Sequence, residues 1–174
     1  MALNVPTGVP ALGTLSLTII PISGVADLAA ITVAEATAIG AINASCHNLS
    51  DGWGRTRTQS SESARRACET VGYQVAGPQE VSFDAARFVY DPQNPDAPVS
   101  EVYAALTEGE EYVVVERLGI SGKTELAATQ YYDAYRVRLD IKEKLVPGDG
   151  GELQFTAQFT NLGAPVMDAQ IAAA

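Results

Sequence analysis

The sequence predicts a mainly β fold: an antiparallel sandwich or barrel-like sheet of about eight strands, with one flanking helix at about 97–107 and one long loop at about 48–70. Three observations predict it. Several stretches alternate apolar and polar residues with a period of two, the pattern of strands that bury one face. One stretch alone has strong helical spacing. The chain has 174 residues, 47% apolar and 18% charged, which suits a single domain, 1–174, with an ordinary core. Because 27 residues are Ala and only 12 are aromatic (7 Tyr, 4 Phe, 1 Trp), that core is thin unless further surface is buried between chains.

In chain order, residues 1–13 hold Pro6, Gly8, Pro10 and Gly13 and no Lys or Arg, so they read as an N-terminal arm and not as a signal peptide. At 14–20, Leu15, Leu17 and Ile19 oppose Thr14, Ser16 and Thr18, a one-faced strand. Thr32 and Glu35 have capping-box spacing for a short helical turn, before a less regular strand at 41–46. Residues 48–70 show no periodicity and read as a loop. Strands at 71–75 and 80–90 follow, the latter with a phase shift at Ala85-Ala86 that suggests a bulge. Pro98 suits a first helical turn, Val99, Val102, Tyr103 and Leu106 form one stripe, and Gly109 stops it. The β-branched run Val113–Val115 within 111–118 suggests burial on both faces. In 131–142 the apolar set Tyr131, Tyr135, Val137, Leu139 and Ile141 opposes Arg136, Arg138, Asp140 and Lys142, with Asp133 the one dissenter. Residues 152–160 alternate cleanly, and 166–171 reads as a closing edge.

Eleven basic against 21 acidic residues give a net charge of −10, the reverse of the footprint that neutralises nucleic-acid phosphates. A sequence-reading nucleic-acid binder is excluded on that ground, and no apolar run approaches a membrane span. Cys46 and Cys68 read as reduced thiols. The one histidine, His47, adjoins Cys46, and neighbours on a strand face opposite ways, so they make a poor nucleophile and base. Residues 91–96 put Gln and Pro where a calcium loop needs Asp or Asn. Gly119 to Thr124 resembles the end of a phosphate-binding loop, but Arg117 stands where the first glycine belongs, leaving a flexible loop between strands. No catalytic residue, metal ligand or cofactor site is expected, and no enzyme.

In order of elements the chain resembles the major tail proteins, the tail tube subunits, of long non-contractile-tailed bacteriophages. The resemblance rests on the strand opening Gly13-Thr-Leu-Ser-Leu-Thr-Ile-Ile20, on Ile31-Thr-Val-Ala-Glu35 leading to Ile42-Asn-Ala-Ser45, and on the loop that follows. It continues through Phe83 to Tyr90 with Asp91-Pro92-Gln93-Asn94, the helix near Val99 to Leu106, Glu108-Gly109, Tyr112 to Arg117 with Leu118-Gly119, and Tyr131 to Val137. The resemblance implies a virion protein that forms hexameric rings stacked into a tube. A tape measure protein would fill the lumen during assembly in the host cytoplasm. Tail tip and tail terminator proteins would bound the tube, and DNA would pass without specific binding.

On that resemblance the loop 48–70 becomes the inter-subunit contact, with Trp53 between glycines as an exposed anchor and Arg55, Arg57, Arg65 and Arg66 as its charges. Glu108, Glu110 and Glu111, on a neighbouring subunit, are the candidate acidic partners. Glu80, Asp84, Glu152, Gln154 and Gln158, on polar strand faces, are the candidate lumen residues; Arg136, Arg138 and Lys142 are the competing set. The alternative function is a surface β-sandwich that binds glycan or protein through Trp53, Tyr131, Tyr132 and Tyr135.

Overall fold

The computed structural model describes residues 8–68, 70–146 and 151–173. The first seven residues of the expected N-terminal arm lie outside them. Among these residues nine strands form: β1 (Leu15–Pro21), β2 (Ile42–Asn43), β3 (Arg55–Ala64), β4 (Tyr73–Phe83), β5 (Ala86–Val89), β6 (Glu111–Leu118), β7 (Tyr131–Lys144), β8 (Gln154–Asn161) and β9 (Val166–Gln170). Seven make one antiparallel sheet in the order β2-β1-β6-β7-β8-β5, with β9 paired to β7 beyond the end of β8. The remaining two, β3 and β4, pair only with each other.

The sheet is mainly β, antiparallel and half-barrel in form, as its alternating residues predict. Strands β1 and β6 are buried on both faces: Val113, Val114 and Val115 are each at most 1% exposed, and Ser16 and Thr18, expected on the open face of a one-faced strand, are 0% and 2% exposed. One face collects Leu17, Ile19, Tyr112, Val114, Tyr135, Val137, Leu139, Phe155 and Phe159. The other collects Ile20, Val113, Val115, Tyr132 and Ala134, covered by Ile31, Ala36 and Ile171.

Two short helices close these faces. Helix α1 (Val33–Ala36) has the capping box its sequence predicts: Thr32 Oγ1 accepts from Glu35 N–H, and the Glu35 carboxylate accepts from Thr32 N–H at 2.8 Å. Helix α2 (Glu101–Ala105) follows a 3-10 turn at Pro98–Ser100, which fits the expected segment at its start and ends it early. Val102 and Leu106 of its stripe are buried, whereas Val99 is 37% exposed. Lys142 fixes its last turn, donating to the carbonyls of Tyr103 at 2.8 Å and Leu106 at 2.7 Å. Cations favour the carbonyl end of a helix.

The region 48–70 is not a loop. Ten of its residues form β3, paired along its length with β4 in a long arm, with one bulge between Gln59 and Ser61. The reason is compositional. β3 reads RTRTQSSESA, so neither face is apolar; pairing to β4 forms it, and burial leaves no period-two signature. The phase shift at Ala85-Ala86 is likewise a break between strands: β4 ends at Phe83 and β5 begins at Ala86.

A candidate subunit interface

Two surfaces stand uncovered: the β3–β4 arm and the polar face of β7 and β8. The arm is rooted firmly. Residues 47–54 run beside β5, with Val89 N–H donating to His47 O and Arg87 N–H to Gly52 O, each at 2.8 Å, and Asp84 N–H to Gly54 O at 3.0 Å. An approach this close requires glycine. A Cβ on Gly52 would stand 2.6 Å from the Arg87 carbonyl oxygen, and one on Gly54 would overlap the Asp84 carboxylate. Trp53, held between them, turns inward: its ring lies 5.5 Å from that of Phe83 and 6.3 Å from that of Phe159. It is half-buried and packs against its own domain's core, and so is not the exposed anchor expected.

Arg55 completes the root. Its Nε donates to Glu116 Oε2 at 2.5 Å and a terminal nitrogen donates to Asp133 Oδ2 at 3.1 Å, while the guanidinium sits 5.4 Å from the centre of the Tyr135 ring. Asp133 Oδ1 also accepts from Asp168 N–H at 2.9 Å. Burial works against the Arg55 charge, but the hydrogen bond and charge of Glu116 outweigh it and hold the guanidinium above its ordinary value. Burial also pushes the Tyr135 hydroxyl far above the usual tyrosine range.

Beyond the root the arm is exposed on both sides. Tyr73 and Val75, 45% and 47% exposed at alternate positions of β4, share one side of its outer half, and Val71, in the bend before the strand, is 76% exposed. Arg57 binds the Gln79 side chain across the arm, and Arg65 and Arg66 stand exposed just past the end of β3.

The second surface is the polar face of β7 and β8. Arg138 lies opposite Thr160 and Glu111, and Arg136 lies opposite Val113. Arg136 binds Glu111 at 2.6 Å, and Arg138 binds Asp140 at 2.9 Å, whose other oxygen accepts from Thr160 Oγ1. These bonds hold the Asp140 carboxyl below the usual carboxylate range, Thr160 contributing most. Lys142 leaves this face because the register between β7 and β8 shifts between Leu139 and Ile141. Its ammonium points inward, 4.0 Å above the Tyr103 ring, where burial holds its pKa below the ordinary lysine value.

Residues 2–174 match the family model described as phage tail tube protein. The chain belongs to the phage tail tube protein family. It is thus a structural component of a phage tail, and a part of the virion. Its fold is also similar to that of a chain in a cryo-EM structure of the anti-feeding prophage (AFP) baseplate, 6-fold symmetrised, at 11% identity and a TM-score of 0.50, over 96% of this chain and 98% of that one. At that identity the likeness is one of fold. No curated protein matches it in sequence.

Within this tail tube protein the expected site residues divide among several places. Arg55 is occupied by its own Glu116 and Asp133, and Glu111 by its own Arg136. Glu108 accepts from Lys142 N–H at 2.7 Å, and Glu110 is exposed in the same turn. Gln154 and Gln158 lie along β8 with Glu152 just before it, whereas Glu80 lies on β4 and Asp84 in the turn that follows. The five candidate lumen residues therefore do not share one strand face. Glu116 and Asp133 form the unexpected part of the site. Their signal was parity: each is a carboxylate at a position whose neighbours two residues along the strand are apolar.

Arg117 is a further surprise. It is 1% exposed and ties down residues 119–130, donating to Thr124 O at 3.0 Å and to the Gln130 side chain at 2.5 Å. Gly122 packs against Ser45 so closely that a Cβ would overlap it. The stretch expected as a flexible loop is accordingly anchored at both places.

Proposed function

We propose that this chain is the tail tube subunit of a long non-contractile phage tail, forming hexameric rings that stack into a conduit for DNA. The family match over residues 2–174 carries this reading. Two features support it. The open sheet has a short free edge at β2, through which copies can join, and the arm extends away from its root as a ready contact for another copy. The whole chain is the tube domain, with residues 1–13 and the arm as its inter-subunit extensions.

The polar face of β7 and β8 is the one we assign to the lumen. It presents Gln154, Gln158, Thr156 and Thr160 together with arginines already bound to Glu111 and Asp140. Paired arginines bind phosphate weakly, since a passing phosphate must displace a carboxylate; DNA then slides without fixed contacts. Arg57, Arg65 and Arg66 on the arm reach acidic surface on a neighbour, with Glu108 and Glu110 as partners. A tape measure protein fills the lumen during assembly in the host cytoplasm, a tail tip complex starts the tube, and a tail terminator ends it. The role is structural, without catalysis.

Electron microscopy of the purified full chain, with and without a tail tip complex, tests the proposal. Rings of six or tubes with the β7–β8 face inward are expected. A chain that stays monomeric under both conditions, or a lumen lined by the other sheet face, overturns it.

A further inference from the structure

We propose that the cavity between α1 and the segment 119–130 binds a small oxyanion, a carboxylate or a phosphate, through Arg117 and Thr18. The cavity has a volume of about 480 Å³ and is lined by Thr18, Val33, Thr37, Asn43, Arg117 and Leu126, among others. Thr18 and Arg117 share one sheet face, because Thr18 lies opposite Val115 and Ser16 opposite Arg117. They are diagonal neighbours across the β1–β6 ladder.

The charge of Arg117 carries the argument. Arg55, Arg87, Arg136 and Arg138 each have a carboxylate partner within their own chain. Arg117, more deeply buried than these, has among the described residues neutral acceptors alone: Ser16 Oγ at 2.7 Å, Thr124 O at 3.0 Å, Glu125 O at 3.3 Å and the Gln130 carbonyl at 2.5 Å. Burial accordingly lowers its pKa with no neighbouring charge to offset the effect. A buried cation is costly unless an opposite charge meets it.

The donors match that need. Arg117 Nε and Thr18 Oγ1 are both buried without a hydrogen-bond partner among the described residues, and both residues line the cavity. An arginine nitrogen only donates, and a threonine hydroxyl is free to do so, so together they call for a group with two acceptor oxygens and negative charge. Glu125, exposed and also on the lining, opposes an anion and gives the site a second electrostatic handle. Filled, the site would tie α1 to the segment that Arg117 holds.

The test uses the unassembled full-length chain, so it does not depend on the tube reading. Inorganic phosphate, and separately acetate, is titrated against thermal unfolding at constant ionic strength in chloride. A saturable rise in Tm is expected. Thr18→Val removes a hydroxyl that has no hydrogen-bond partner among the described residues, and should weaken the apparent affinity about fivefold, the worth of one hydrogen bond. Glu125→Gln should tighten it, and Arg117→Met should abolish it. Should Arg117→Met fail to fold, the opposite signs of the other two variants still decide the matter. Assembly separates the sources of the oxyanion: phosphate that slows ring formation points to competition with a carboxylate of a neighbouring copy, and phosphate that leaves or speeds assembly points to a free anion. No saturable response, or an identical response in Thr18→Val and Glu125→Gln, overturns the site.

Discussion

Arg55 and Glu116, 61 positions apart, meet at 2.5 Å and join the first residue of the arm to the middle of a central sheet strand. Glu116 is 5% exposed, so its charge has no recourse to water once Arg55 is gone. Arg55→Met should therefore cost about 3 kcal/mol, the lower end of the range for breaking one side of a buried pair. A urea melt measures it. Adding Glu116→Gln to Arg55→Met should recover part of the loss, because the uncompensated charge is removed. Faster hydrogen exchange along β3 and β4 in the single variant would report loosening of the arm's root.

Gly52 and Gly54 face different neighbours, and the difference predicts unequal effects. A Cβ at Gly52 meets the Arg87 backbone carbonyl, which the sheet holds in place; one at Gly54 meets the end of the exposed Asp84 side chain, which can turn aside. Gly52→Ala should destabilise by roughly 1–3 kcal/mol, the usual cost of overpacking, and Gly54→Ala by less. Displacing residue 52 also shifts Trp53 off Phe83, so Gly52→Ala should red-shift tryptophan emission while Gly54→Ala leaves it nearly unchanged.

β7 and β8 were legible because their alternation is forced by a core on one face; β1 and β6, buried on both faces, also fall where their apolar and β-branched residues place them, and the Thr32–Glu35 cap follows from its own local spacing. The arm was illegible because nothing covers it. Its polar strand is specified by pairing to β4 and by contacts at its root, and Glu116 and Asp133 lie 61 and 78 positions from the arginine that explains them. Asp133 did stand out as the one polar residue on the wrong side of its strand. Two carboxylates at inward positions of adjacent strands imply a cation between them, and the arm supplies it. Lys142 went astray by a different route, since a register shift reverses parity without leaving a mark in composition.

Glu35 links the cap of α1 to pH. Its carboxylate accepts from Thr32 N–H at 2.8 Å and Ala26 N–H at 2.9 Å, and these backbone bonds, Thr32 foremost, lower its pKa below the ordinary value of 4.5. A carboxyl depressed in the folded state contributes stability that is present above its unfolded value and is lost as pH falls through the folded one. The wild-type chain should thus lose stability below about pH 4.5 in part through this group. Glu35→Ala should cost about 1 kcal/mol at neutral pH, the usual worth of a cap, and should flatten that acid limb. Urea melts of both proteins at neutral and acid pH measure the difference; equal acid slopes would assign the linkage to other carboxyls.

Truncating the arm separates its role in folding from its role in assembly. The root contacts, from Trp53 to Arg57 and from Gln79 to Phe83, pack on or bind the rest of the chain or close the base of the arm. Beyond Gln59 and Gln79 the two strands touch mainly each other, and their outer end carries the exposed apolar residues Val71, Tyr73 and Val75. Joining Gln59 to Gln79 through Asn-Gly, a favoured two-residue hairpin turn, removes that outer part while keeping the root. Because little sheet-covering surface goes with it, the urea midpoint of the shortened chain should stay close to that of the wild type. Exposed apolar residues grouped on projecting elements are costly to keep in water and are retained where a partner covers them. The shortened subunit should accordingly fail to form tubes at concentrations where the wild type does, and Tyr73→Ser should weaken polymerisation in the same direction with a smaller effect. Sedimentation and negative-stain microscopy read both variants: normal tubes from the shortened chain would show that the outer arm is dispensable, and a lowered midpoint would show that it contributes to the fold of its own subunit.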